Sequence, residues 1–170
     1  FGKNNQLELG YRGDFNELLT DFSVINNGLA NSDFTDVIQY KEKINALYSQ
    51  FGKKFNKLSV LVGLRWEDSN IDINSLQKTT FINKKYDNFF PSAFLTYELK
   101  ENSSASISYS RRIQRPRGRQ LIPFNNISSN INIFQGNPDI NPAMTDAVDL
   151  GYMKKWDKLT FSSSLYVNKT

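Results

Sequence analysis

Five arginines fall between positions 111 and 119: Arg111, Arg112, Arg115, Arg117 and Arg119. A guanidinium stays charged at ordinary pH and presents a planar fork of donors, so the cluster suits a carboxylate or a phosphate. The rest of the reactive inventory is short. The sequence contains no His and no Cys, which removes the commonest general base, the thiol nucleophile and the thiolate metal site. Asp68 and Asp72 share a strand parity but have no imidazole beside them to complete a metal site. Glu8 and Glu67 would meet only by accident of the fold, and no nucleophile–base pair can be argued. The residues point away from an enzyme and require no cofactor and no metal. Arg115, Arg117 and Arg119 remain as candidate ligands for an anion. The plainer reading is that they pair with acids on neighbouring segments and hold a loop in place.

Those arginines stand where an alternating segment runs out. Ile107 and Tyr109 point one way and Ser106, Ser108 and Ser110 the other, and Val148, Leu150 and Tyr152 repeat the pattern on the return. The same period of two runs through the whole chain. It predicts strands over 6–12, 15–25, 37–51, 58–74, 89–100, 104–115, 143–153 and 159–169. Gly13-Asp14, 52–57, 101–103 and 154–157 read as tight turns. The stretches 26–36, 75–87 and 116–142 read as long polar loops. Gly136, Asn137, Pro138 and Pro142 make a rigid exit from the last of these. No segment carries a helical period.

Strand length, the asymmetry of the connections and the placement of aromatics favour a membrane-facing sheet over a soluble one. Of 170 residues, 14% are aromatic and 39% hydrophobic, and the net charge of +4 comes from basic residues that are dispersed except at 111–119, which argues against nucleic acid. No apolar run is long enough for a transmembrane helix. Strands near ten residues have the length a tilted strand needs to cross a bilayer, and connections that alternate short and long give the chain one trimmed end and one elaborated end. Aromatics mark both ends of the apolar face: Tyr11, Tyr97, Tyr152 and Phe161 near short turns, Trp66 and Tyr109 near long loops. Gln6, Glu8, Arg12, Lys43, Asn45, Arg65, Glu67, Thr96, Glu98, Ser108, Arg112, Asp149, Thr160, Ser162 and Ser164 would line the opposite, wet face. A solvated sheet would show the same alternation, so a soluble β-sandwich stays open on the strand pattern alone.

The crossing supplies a resemblance. Ser110-Arg111-Arg112-Ile113, Arg115-Pro116, Leu121, Pro123-Phe124, Gly136-Asn137-Pro138, Ile140, Pro142 and Leu150-Gly151-Tyr152 resemble the barrel of TonB-dependent outer-membrane receptors, in the branch common in Bacteroidetes-type bacteria. Phe90-Pro91-Ser92 and Leu61, Gly63, Leu64, Arg65 and Glu67 resemble it too. Ala143 replaces the usual Glu, Ile140 the usual Leu and Asp149 the usual Glu. The resemblance implies an all-β, antiparallel up-and-down meander of about eight strands that forms part of a larger transmembrane β-barrel of about twenty-two strands.

On that basis residues 1–170 are expected to be a single barrel segment in the bacterial outer membrane. Both ends read as cut near the long-loop side, with the plug domain and remaining strands elsewhere. The family implies active uptake of a scarce solute, with loops 26–36, 75–87 and 116–142 extracellular. It also implies lipid and lipopolysaccharide outside, and a plug domain and a TonB-type energy-coupling system as partners. Parity places Arg112 toward the lumen with Arg65, Glu67, Glu98 and Asp149. Arg111 falls on the lipid side just above the girdle, within reach of lipopolysaccharide phosphates. A complete eight-stranded barrel, structural or adhesive, is the other membrane reading.

Overall fold

The computed structural model describes residues 4–32, 35–78, 80–100, 102–122, 126–127, 133–134 and 136–170. Seven long strands follow one another: β1 (Asn5–Phe22), β2 (Asp36–Phe55), β3 (Leu58–Ser75), β4 (Phe81–Lys100), β5 (Ser103–Gln114), β6 (Ala143–Lys155) and β7 (Thr160–Lys169). They pair antiparallel in chain order as one open sheet, whose outermost strands, β1 and β7, do not pair with each other. Two-residue ladders join Ile25–Asn26 to Leu29–Ala30 and Asn126–Ile127 to Ile133–Phe134, and a single helical turn, α1 (Gly118–Leu121), sits in the last long connection. The all-β meander is as expected. No second large sheet exists among the described residues, so the sandwich is set aside.

Several boundaries differ from expectation. Gly13-Asp14 is not a turn: β1 runs unbroken through it, with Gly13 facing Asn45 and Asp14 facing Ile44. The expected strands 6–12 and 15–25 are therefore one, and the count falls from eight to seven. A hairpin needs two chains leaving the turn side by side. Here β2 is long enough to pair with all of β1, so the ladder overrides the local turn preference. The chain accordingly enters at the short-turn end, with Asn5 opposite Lys53, and leaves at the long-loop end, with Lys169 opposite Asp146. Most of the loop expected at 75–87 is strand as well, because Phe81 to Asp87 pair with Asp68 to Asn74 and leave only 76–80 as connection.

The connections keep two distinct ends. At the end defined here as lower lie 56–57, 101–102 and 156–159, with Asn56 and Asn102 in the left-handed region, where Asn is the favoured non-glycine residue. At the upper end lie 23–35, 76–80 and 115–142. Asn27 and Gly28 both have positive φ and close the first ladder, as a two-residue hairpin of the primed kind requires.

The apolar residues change face halfway up. In β3, Leu58, Val60, Val62, Leu64 and Trp66 share one face, and Leu7, Leu9, Tyr11, Leu47, Phe51, Leu95, Ile107, Leu150 and Leu165 join them through the register. Most are exposed; Leu9 is 70% accessible and Leu165 63%. Above Trp66 the same face turns polar: Asp68, Asn70, Asp72 and Asn74 in β3, and Asp87, Lys85 and Asn83 in β4. The opposite face does the reverse. Its upper part holds the only described buried cluster, Ile38, Ile71, Ile73 and Leu121, flanked by Phe22, Tyr40, Ile82, Tyr86 and Ile122.

This swap corrects the expected facing of Lys43 and Asn45. They pair with Asn70 and Asp68 and lie on the same face as Trp66, above the apolar belt, rather than on the wet inner face. In β2 the upper apolar residues Ile38, Tyr40, Ile44 and Ala46 are even-numbered, while the lower ones, Leu47, Phe51 and Phe55, are odd-numbered. A single parity for the whole strand assigns one half wrongly.

Candidate functional site

Two regions carry the organisation that a function needs: the upper margin of the apolar belt and the opposite face just beneath α1.

At the margin, three aromatics direct their polar tips upward. The Tyr11 hydroxyl donates to Asn45 Oδ1 at 2.7 Å, Trp66 Nε1–H donates to Asp87 Oδ1, and the Tyr109 hydroxyl donates to Asp146 Oδ1 at 2.7 Å. Each acceptor lies one step above its donor on the adjacent strand. An aromatic body in the apolar belt with its donor turned to polar groups is the arrangement of side chains at a membrane–water boundary. The boundary also shows the slant of the strands. Tyr11 shares a row with Leu47 and Trp66, whereas Tyr109 shares one with Ala93 and Val62. The margin therefore drops four residues (66 − 62) between β1 and β5, four strands apart. About 3.4 Å of rise per ~4.8 Å of strand spacing is a tilt of about 35°, the value for strands closing into a barrel. Leu58 to Trp66 then rises about 22 Å along the normal, close to the ~25 Å apolar band of such barrels.

The model of the outer membrane protein beta-barrel family matches residues 1–170. The chain belongs to this family. No curated protein matches the chain. Membership places it in the bacterial outer membrane, where the belt faces lipid and the opposite face lines the barrel interior.

The sheet sorts the arginines expected at the site. Arg111 lies on the outer face immediately above Tyr109, in a two-pronged pair with Asp146 (Nε–Oδ1 2.8 Å, Nη2–Oδ2 3.1 Å). Arg112 lies on the inner face with Ser108 and Ser110 and is exposed. Arg115 turns into the wall: its Nη2 pairs with Glu67 Oε2 and donates to Ser69 Oγ at 3.0 Å. Arg65 pairs with the other oxygen, Glu67 Oε1. Glu67 is thus held between two guanidiniums, at 5% exposure. Arg117, the residue before α1, and Arg119, within it, are exposed; the Arg117 backbone N–H donates to Gln120 Oε1 at 2.9 Å. Sequence spacing had grouped Arg115 with these two, and Arg115 is the one held by Glu67 and Ser69. Among the remaining inner-face candidates, Glu98 pairs with Lys54 at 2.8 Å and Asp149 accepts from Ser108 at 3.3 Å.

The motif residues act as a clip. Gly136 N–H donates to Ile122 O at 2.9 Å and Asn137 N–H to Gln120 O at 2.7 Å, so the return of the long connection fastens onto the end of α1. A Cβ on Gly136 would overlap the Gln120 and Ile122 backbone, which explains glycine there. Asn137 Oδ1 accepts from Asp139 N–H at 2.8 Å, an Asx turn that sets up Pro138, and Pro142 stands immediately before β6. Pro116 is buried and leads Leu121 into the inner apolar cluster. Pro123-Phe124, also named in the motif, lie outside the described residues.

Sequence reasoning missed Tyr40, Tyr86 and Ser69. The Tyr40 ring lies against Gly118, and its hydroxyl, above the belt, has its pKa pushed up to about 12, chiefly by burial and then by the charge and hydrogen bond of Glu42. The missed signal was the change of parity of the apolar residues between the upper and lower halves of β2 and β4.

Proposed function

We propose that this chain is part of the wall of a TonB-dependent receptor that takes up a scarce solute, with the connections 23–35, 76–80 and 115–142 on the extracellular side. The reading rests on one observation above the others: the Ser-Arg…Arg-Pro and Gly-Asn-Pro segments that carry the family resemblance form a physical unit, the clip that holds α1 against the inner wall. The lower inner face supports it. Ser92, Thr96, Ser104, Ser106 and Ser108 offer hydroxyls there, with Glu98 and Asp149, as a wall needs when it faces a folded, hydrated plug. The role is binding and passage, without catalysis. Lipopolysaccharide outside and an energy-coupling partner reached through the plug complete the proposed partner set.

The sequence contains no Cys, so single cysteines can report on the interior. With Ser106→Cys or Thr96→Cys in the full-length protein, a bifunctional crosslinker should capture a plug segment of the same polypeptide. Deleting the energy-coupling protein should also reduce labelling by an impermeant maleimide in cells. An open-pore conductance in planar bilayers with no such crosslink would overturn the reading in favour of a passive channel.

A further inference from the structure

We propose that Arg65, Arg115 and Tyr86 form an oxyanion-binding site on the inner wall directly beneath α1. Among the described residues, the buried side-chain polar atoms without a partner are three: Arg65 Nε, Arg115 Nε and the Tyr86 hydroxyl. Both Nε atoms are obligate donors, and a tyrosine hydroxyl can donate. Two of these donors belong to the guanidiniums that hold Glu67, and Tyr86 stands opposite Ser69, which Arg115 also reaches. Buried donors without acceptors are costly, and together they favour an acceptor oxygen rather than a cation.

Charge points the same way. Arg65 and Arg115 share the single carboxylate Glu67, which leaves a surplus of one positive charge. Arg112 adds another on the same face, two residues beyond Ser110, just as Arg65 stands two beyond Gly63 in the row Gly63–Ser92–Ser110. The inner-face acids of the upper half are engaged elsewhere: Glu42 with Tyr40 and Asn16, and Asp14, in the row of Ser69 and Tyr86, with Arg12. Lys84, also on this face, is a further cation, its ammonium donating to Ile140 O at 2.6 Å. Glu67 engages each guanidinium through Nη2, which leaves each Nε–H as a charged donor without an acceptor, and carboxylates and phosphates accept well from such donors. The ligand class is a carboxylate or phosphate oxyanion. It comes either from a small solute or from an acidic side chain of the same polypeptide inside the barrel. The site does not depend on energised uptake and can be tested without it.

The test uses the full-length protein in detergent, in chloride buffer, titrated calorimetrically with inorganic phosphate and melted in parallel. A free oxyanion ligand gives saturable phosphate binding that Tyr86→Phe and Arg115→Lys each weaken about tenfold or more, while Lys154→Ala, on the outer face, leaves it unchanged. An internal carboxylate gives no phosphate binding; Tyr86→Phe then lowers Tm near neutral pH, and the loss disappears below about pH 4, where carboxylates protonate. Two results overturn the proposal: no phosphate binding with Tyr86→Phe melting at or above wild type, as an orphaned hydroxyl requires, or a Tm loss that persists unchanged at low pH, as a bridging water requires.

Discussion

The lower and upper halves of the sheet are built from the same strands with the same alternation, yet they are each other's inverse. Below Trp66 the apolar side chains point outward and stay exposed, as Leu9, Val62 and Leu64 do, while serines and charged groups face inward. Above it, Ile38, Ile71 and Ile73 point inward against Leu121, and Asn70, Asp72 and Asn83 face outward, joined by hydrogen bonds of 2.5–3.2 Å. The solvent on the outer side explains the difference. Hydrocarbon rewards apolar side chains and water rewards polar ones, and the swap occurs where Tyr11, Trp66 and Tyr109 turn their donors upward. The upper half obeys the rules of a soluble protein, including a small core supplied by its own connection.

The contrast between the two halves depends most on the upper core. Leu121→Ala removes a fully buried side chain from the cluster that seats α1, at a cost of about 2–5 kcal/mol. Limited proteolysis should open the 115–142 connection while the lower strands stay protected. Protection of that connection equal to wild type would contradict the packing role.

A charge in the belt comes next. Val62→Lys should cost about 2–4 kcal/mol in denaturant unfolding from vesicles, because a lipid-facing lysine near mid-bilayer is penalised to that degree. Asn70→Lys, on the same face of the same strand but above the margin, should cost close to nothing. Equal effects would mean that the boundary does not lie at Trp66.

The margin itself gives a smaller effect. Trp66→Phe keeps the ring but removes the donor to Asp87, for a loss of about 1 kcal/mol. Tryptophan fluorescence with depth-dependent quenchers should place wild-type Trp66 shallow in the bilayer; deep quenching would displace the proposed boundary.

The subtlest effect is alkaline. Tyr40 has a folded pKa raised from about 10 to about 12 by burial beside Glu42. Its contribution to stability is complete below pH 10, where the unfolded phenol is neutral, and is lost as pH rises from 10 through about 12. Tyrosinate absorbance should show a late-titrating step that Tyr40→Phe abolishes.

Much of this was legible in the residues. Alternation in Leu58–Trp66, Ala93–Leu99 and Val148–Tyr152 specifies strands and their apolar face, and the absence of His and Cys narrows the chemistry. Arg111 and Arg112 fall on opposite faces by parity alone. Three things were not legible: that Gly13-Asp14 would be carried straight through by a long partner, that Lys43 lies outside, and that Arg115 parts from Arg117 to meet Glu67, 48 positions away.

By itself the sequence determined the period of two, the all-β class and the outward belt, because a strand's alternation is a local property that needs no partner to be read. The tertiary structure decided the register, the level at which the faces exchange polarity and the inward fold of α1. Those depend on which residues stand opposite one another across the sheet, and pairing distances of tens of residues leave no local trace in the chain.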